Sequence, residues 1–386
     1  MRILHTSDWH IGRTFHGSPT LDALRQVLAA LVAQVREHGV DVVIVAGDVF
    51  DQATPAAECY TLLTGALHDI REAGARVVVT SGNHDSAARL GFQSTFLAQA
   101  GVHVATDPTA LDVPITIDDE HGPVHFYGIP YLEPTIVRRL WPDTPLRSQA
   151  DTMAHAMRLV GADRAVRGGR SVAIAHCFAA DVEPTPGVER EIRQGTLDVV
   201  PLAAFDGPDY VALGHIHGRN TLSDRVRYAG APLHYSFGEQ SKPRGSWLVD
   251  LDAEGLAFVR WLDLPVPRRL VTISGSLDEL LEGDQFADAV DAWVCAQYTD
   301  ATPQPDPMRR LRARFPHCAT VEHRPPHRDA DERSGYAARV GGEERSDTDL
   351  VDAFLTHVRA GEGPTPAEAE LVASIVRERE GAETLA

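Results

Sequence analysis

The run Val42-Val43-Ile44-Val45-Ala46-Gly47-Asp48 leaves the chain few folds to choose from. Apolar and β-branched residues without a polar break read as a strand buried on both faces, the kind found in parallel sheets. Such a strand delivers Asp48 to its carboxyl end, the edge at which open α/β sheets bind ligands. Gly47 lets the backbone come close to whatever Asp48 holds. Residues 3–6, 76–80, 171–175 and 210–213 have the same buried-strand character.

Helical patterns separate these strands. Leu21, Leu24, Leu28, Leu31 and Val35 form one apolar stripe over residues 21–38, closed by Gly39. Residues 55–73 begin at Pro55 and stop before Gly74, and residues 149–166 also read as helix. Residues 111–132 alternate and carry Pro and Gly, so strands and turns are expected there. Residues 227–233, 246–251 and 257–264 are expected to be antiparallel strands completing the sheets. The predicted class is α/β, a layered α-β-β-α sandwich over residues 1–265.

The pattern breaks at Pro265-Val266-Pro267. A small α+β unit is expected over residues 268–321, with a strand at 270–274 and helix in 277–281 and 286–293. Residues 322–346, rich in charge, Gly and Pro, read as a flexible linker. Two helices are expected in 347–386, because Ser346-Asp347-Thr348-Asp349 and Thr365-Pro366-Ala367-Glu368 both have capping-box spacing. Leu350, Phe354 and Val358 make one apolar stripe; Leu371, Val372, Ile375 and Val376 make another. Short helices with so little core of their own suit a partner's surface.

The net charge of −19 opposes non-specific binding to nucleic acid. A polyanionic substrate has to be drawn in by arginine clusters or bound cations, since Lys242 is the only lysine. The four cysteines lie far apart without a CxxC pair, which argues against a disulfide framework or zinc ribbon and for a reduced, cytoplasmic setting. No apolar run approaches the roughly 20 residues that span a bilayer, and the first residues enter a strand rather than a signal peptide.

The strand ends carry Asp8 and His10, Asp48, Asn83 and His84, His176, then His215 and His217. Carboxylate, amide and imidazole donors together suit manganese, iron or zinc better than calcium or magnesium. Seven donors exceed what one such ion takes. Shared by two ions about 3.5–4 Å apart, with Asp48 as the bridge, they make a hydrolytic centre that supplies a bridging hydroxide and neutralises charge on phosphorus.

Taken in order, Asp8-x-His10, Gly47-Asp48, Gly82-Asn83-His84-Asp85, His176 and Gly214-His215-x-His217 resemble the motifs of the calcineurin-like metallophosphoesterases. More narrowly, residues 6–12, 47–51 and 231–239 are similar to the bacterial SbcD nucleases, the nuclease subunits of SbcCD complexes. The resemblance covers residues 1–265; for 268–321 only position and size match that family's DNA-capping domain. It implies that Asp8, His10, Asp48 and His217 hold one metal, and Asp48, Asn83, His176 and His215 the other, with Mn²⁺ the favoured ion. It implies that His84 is the catalytic histidine at the leaving oxygen, and that Asp85 orients it. Asp51, where some relatives have a histidine, is given no catalytic role.

The same resemblance implies a double-strand 3′–5′ exonuclease and single-strand or hairpin endonuclease acting in DNA repair, recombination and replication. It implies a nucleoid-associated heterotetramer, built on a homodimer and a coiled-coil ABC-type ATPase on which the last two helices dock. The alternatives are a phosphoesterase of small phosphodiesters, such as cyclic nucleotides or nucleotide-sugar lipids, and a non-catalytic scaffold. Arg13, His16 and the basic run 308–314 are candidate DNA-backbone contacts. The remaining histidines, among them His5, His155, His317, His323 and His327, read as surface or satisfied core residues.

Overall fold

The computed structural model describes residues 1–180, 199–325, 346–359 and 363–383. Most of the expected linker, residues 326–345, and His327 with it, therefore lies outside the described residues. The chain divides into two compact units, Met1–Arg269 and Leu270–Ala386.

The first unit holds two six-stranded sheets. In one, Arg2–Thr6, Val42–Ala46, Arg76–Thr80 and Val102–Ala105 run parallel, and Gly245–Leu251 and Leu256–Asp263 extend it antiparallel beside Arg2–Thr6. In the other, Gly122–Gly128, Arg170–His176, Tyr210–Gly214 and Val226–Tyr228 run parallel, with antiparallel Ile115–Asp119 and Asn220–Thr221 at its edges. The strand expected as antiparallel at 227–233 is thus short and parallel to Tyr210–Gly214, and the rest of that segment is loop. Its apolar run does not distinguish the two directions, because a parallel pairing needs only a long enough preceding connection.

Alternation decides the layers. Ile3, Val42, Ile44 and Val78 face Phe126, Val172, Ile174 and Ala212 in a core between the sheets. Leu4, Val43, Val45, Val77 and Val79 point the other way, under the helices Leu21–His38 and Ala57–Glu72. Helix Gln149–Arg167 covers the far face of the second sheet through Met153, Ala156 and Val160. The expected α-β-β-α order follows. His5 sits wholly buried in the central core, its Nδ1 2.9 Å from the Tyr210 hydroxyl.

In the second unit, Leu270–Gly275, Trp293–Tyr298 and Cys318–His323 form a three-stranded parallel sheet. The segment expected as helix at 286–293 is instead a 3₁₀ turn, Asp284–Ala289, then a turn over residues 290–292 before the strand Trp293–Tyr298 begins. The unit's third strand takes in Glu322 and His323, the first residues of the expected linker. Helices Asp347–Val358 and Pro366–Glu383 both form, the first behind a capping box made by Ser346 and Asp349. Arg359 pairs with Glu368 at 2.8 Å. No helix among the described residues is long and apolar enough to cross a membrane.

Candidate metal centre

Because the central strands of both sheets are parallel, their carboxyl ends form one edge, and every candidate ligand sits just beyond it. The strand ends pack there so closely, within one sheet and between the two, that glycine is required before three of the donors. A Cβ on Gly47 would lie 2.3 Å from His176 Nδ1, and one on Gly82 would lie 2.1 Å from Asp48 Oδ1. On Gly214 it would lie 1.8 Å from the Ala46 carbonyl. The donors themselves are also strained: Asp8, His10, Asp48 and His215 have φ of 53°, 44°, 49° and 105°. Non-glycine residues avoid this region, and such conformations concentrate at sites that the surrounding structure over-determines.

Asp8, His10 and His217 bring one ligand atom each within 4.8 Å of one another, as do Asp8, Asp48 and His176, and also His10, Asp48 and His84. His10 Nε2 and His217 Nε2 approach to 3.0 Å. Asn83 Oδ1 lies 3.1 Å from both His176 Nε2 and His215 Nδ1. Asp48 is 3.3 Å from His176 Nε2 and 3.6 Å from His10 Nε2, central to both groups. The eight residues expected at the centre, seven donors and His84, therefore converge.

Asp8, His10, Asp48 and His176 are all buried, and among the described residues no Lys or Arg pairs with either aspartate. Burying two carboxylates together is costly, and His176, protonated beside Asp48, offsets one of the two charges. The donor set thus fits divalent cations. Burial lowers the pKa of His10 to about 3 and of His215 to about 4, so both are offered as neutral imidazoles. Burial opposes ionisation of Asp48, but His176, His10 and the His84 backbone N–H hold its carboxyl below the usual range. The same pairing, against burial, raises His176 to about 9, a proton that a cation would displace.

The expected role of Asp85 is corrected by its contacts. Its carboxylate accepts hydrogen bonds from the backbone N–H groups of Val49 (3.0 Å), Phe50 (2.8 Å) and Gly82 (2.9 Å). It clamps the loop after the Val42–Ala46 strand to the loop after Arg76–Thr80. The His84 ring is oriented instead by the carbonyl of Asp51, which accepts from its Nδ1 at 2.8 Å. Arg13 lies 3.5 Å from the Asp51 carboxylate and 4.9 Å above the Tyr235 ring. His16 packs edge-on to Phe15. In the basic run, Arg312 and Arg314 donate to the carbonyls of Cys318, Leu280 and Gly283, while Arg309 and Arg310 pair with Asp306 and Asp278.

A model of the calcineurin-like phosphoesterase family matches residues 1–219. The chain belongs to the calcineurin-like phosphoesterases. It is a metal-dependent phosphoester hydrolase. A second family model, SbcD_C, described as the type 5 capsule protein repressor C-terminal domain, matches residues 266–359. The two matches on one chain fit an SbcD-type nuclease. Among solved structures, the phosphoesterase is similar to a dimetal phosphatase from Danio rerio, at 13% identity over 69% of this chain and 99% of that one, with a TM-score of 0.40. It is also similar to GAP50, the anchor in the inner membrane complex of Plasmodium, at 9% identity over 84% and 97%, with a TM-score of 0.39. A purple acid phosphatase from yellow lupin seeds matches at 12% identity over 68% and 51%, with a TM-score of 0.36.

Proposed function

We propose that this phosphoesterase is the DNA nuclease subunit of an SbcCD-type complex. The observation that supports it best is the SbcD_C match following the phosphoesterase match on the same chain. In this reading Asp8, His10, Asp48 and His217 hold one divalent cation, and Asp48, Asn83, His176 and His215 a second, Mn²⁺ by preference. When bound, the two ions supply positive charge for the phosphodiester and lower the pKa of water to make a nucleophile at neutral pH.

The chain's own residues do the rest. Burial of the aspartates keeps water from diluting the field at the phosphate. His84, fixed at Nδ1 by the Asp51 carbonyl, retains one ring nitrogen to meet the leaving oxygen. The unit that follows, capping the substrate, and the last two helices, docking on the coiled coil of an ABC-type ATPase, complete a homodimer-based heterotetramer acting on duplex ends and hairpins at the nucleoid. Leu350, Phe354, Leu371 and Ile375 are exposed, which suits the docking role.

The test is digestion of linear and hairpin-ended duplex DNA in Mn²⁺ by the purified chain, with and without the ATPase partner, with His84→Ala as control. Cleavage is expected to fall about 10²–10⁴-fold in the variant. Hydrolysis of a small phosphodiester without cleavage of DNA in either condition would refute the nuclease reading.

A further inference from the structure

The imidazoles at the centre are not fixed in the same way. Those of His84 and His176 donate Nδ1–H to backbone carbonyls, of Asp51 at 2.8 Å and Ala46 at 3.0 Å. His217 Nδ1 instead faces a side chain, Glu239 Oε1, at 3.4 Å. A carboxylate only accepts, so this contact favours the tautomer with the proton on Nδ1 and the lone pair on Nε2. Nε2 is the atom that meets His10 Nε2.

Glu239 is not a chance neighbour. Its Oε2 accepts from Arg244 at 2.7 Å and from the Tyr235 backbone N–H at 3.1 Å. Arg244, 2% exposed, also donates to the carbonyls of His217 and Ala231. The arginine therefore grips both the backbone of His217 and the carboxylate facing its ring. Tyr235 closes the assembly by donating its hydroxyl to the Trp9 carbonyl at 2.8 Å, between Asp8 and His10. One short strap thus backs the half of the centre contributed by the first strand and His217, and no contact of it with Asn83, His176 or His215 is described.

We infer that Glu239, held by Arg244, is a positioning residue that sets the tautomer and aim of His217 for the cation shared with Asp8, His10 and Asp48. This rests on the two-cation reading above. Carboxylates behind a metal-bound histidine commonly carry about 10–100-fold in affinity. The strap touches one half only, so its loss should divide the two binding events rather than weaken both.

The experiment is a Mn²⁺ titration of the full chain followed by electron paramagnetic resonance, on the wild type, Glu239→Gln and Glu239→Ala. Long-range ¹H–¹⁵N spectra of the histidine rings in metal-free protein are recorded alongside. The wild type is expected to bind two ions as a coupled pair, with His217 protonated at Nδ1. In the variants one ion should bind as before, giving an uncoupled signal, and the other about 10–100-fold more weakly; the His217 tautomers should mix. Glu239→Gln preserves size, and with its one oxygen kept toward Arg244 and the Tyr235 N–H it turns a donor toward His217 Nδ1, so it decides the matter if Glu239→Ala does not fold. Equal weakening of both ions, or an unchanged tautomer and unchanged affinities, would overturn the inference. A wild type that binds no pair of ions would instead sink the two-cation reading itself.

Discussion

Replacing Gly214 with alanine tests the claim that the two sheets are pressed together at their carboxyl ends. The added methyl carbon would sit 1.8 Å from the Ala46 carbonyl oxygen and 2.9 Å from His176 Nδ1. Real Cβ contacts essentially never fall below 3.0 Å, so more than an ångström must be found by moving backbone. Both strands are central and fully buried, so no flexible side-chain end can give way. Overpacking of this kind costs about 1–3 kcal/mol, and with backbone on both sides the upper part of that range is expected. Denaturant unfolding of Gly214→Ala should show that loss, and Mn²⁺ affinity should fall because Asp48 and His215 follow the displaced strands. Gly161→Ala is the matched control. Gly161 lies inside helix Gln149–Arg167 with nothing within 4 Å of its would-be Cβ, so alanine there should stabilise by about 0.5–1 kcal/mol. A Gly214→Ala protein within about 0.5 kcal/mol of wild type would refute the packing argument, since ordinary surface substitutions fall in that range.

Two further outcomes follow from arginines away from the centre. Arg170, 6% exposed in its side chain, holds Asp119 at 2.9 Å and lowers its carboxyl pKa from 3.8. The stabilisation is therefore fully present above pH 3.8 and lost progressively as the pH falls below it. Asp119→Asn should cost roughly 2–3 kcal/mol at neutral pH, under the roughly 3–5 of a fully broken buried pair because Arg170 keeps the carbonyls of Gly122 and Asp252. Its stability should also become flatter with pH in acid, and an unchanged acid limb in a denaturation series would contradict the assignment. In the second unit, Arg314→Ala should cost about 1–2 kcal/mol through two lost carbonyl bonds, whereas Arg309→Ala should be nearly neutral, its partner Asp306 being exposed. Equal effects in parallel thermal melts would show that the basic run does not divide in this way.

The parts of this molecule that read directly from sequence are those where side chains alone carry the information. The stripe Leu24, Leu28, Leu31 and Val35 sits under helix Leu21–His38, and the uninterrupted β-branched runs of residues 42–45 and 77–79 are strands. The donors also converge, because each ends or follows a strand of the same direction. What escaped the reading depends on backbone. The Asp51 carbonyl that orients His84 has no residue-specific signature, and Asp85 resembles a ring-orienting carboxylate until its three N–H partners are seen. Glu239 was visible only as part of a family-like run; its meaning depends on Arg244 folding back to His217. The turn at Asp284–Ala289 misled because its apolar residues do pack inward, with a 3₁₀ rather than an α-helical rise.

The aspartates at the centre are joints as well as donors. Asp8 Oδ1 accepts from the His215 backbone N–H at 2.9 Å and Asp48 Oδ1 from that of His84 at 2.9 Å. Each thereby ties loops from different strands together, Asp8 doing so across the two sheets. A descendant of this chain that abandoned catalysis would still need those ties to stay folded, whereas the side chain of His10 reaches outside the cluster only to the Asp51 carboxylate, at 3.6 Å, and bonds no backbone among the described residues. Asp8 and Asp48 would then outlive His10 as activity decayed, while His84 and His176, bonded to the carbonyls of Asp51 and Ala46, would persist with them. In comparing related chains, His10 is the informative marker of a working enzyme, and a retained Asp8 or Asp48 records only that the fold still needs its pins.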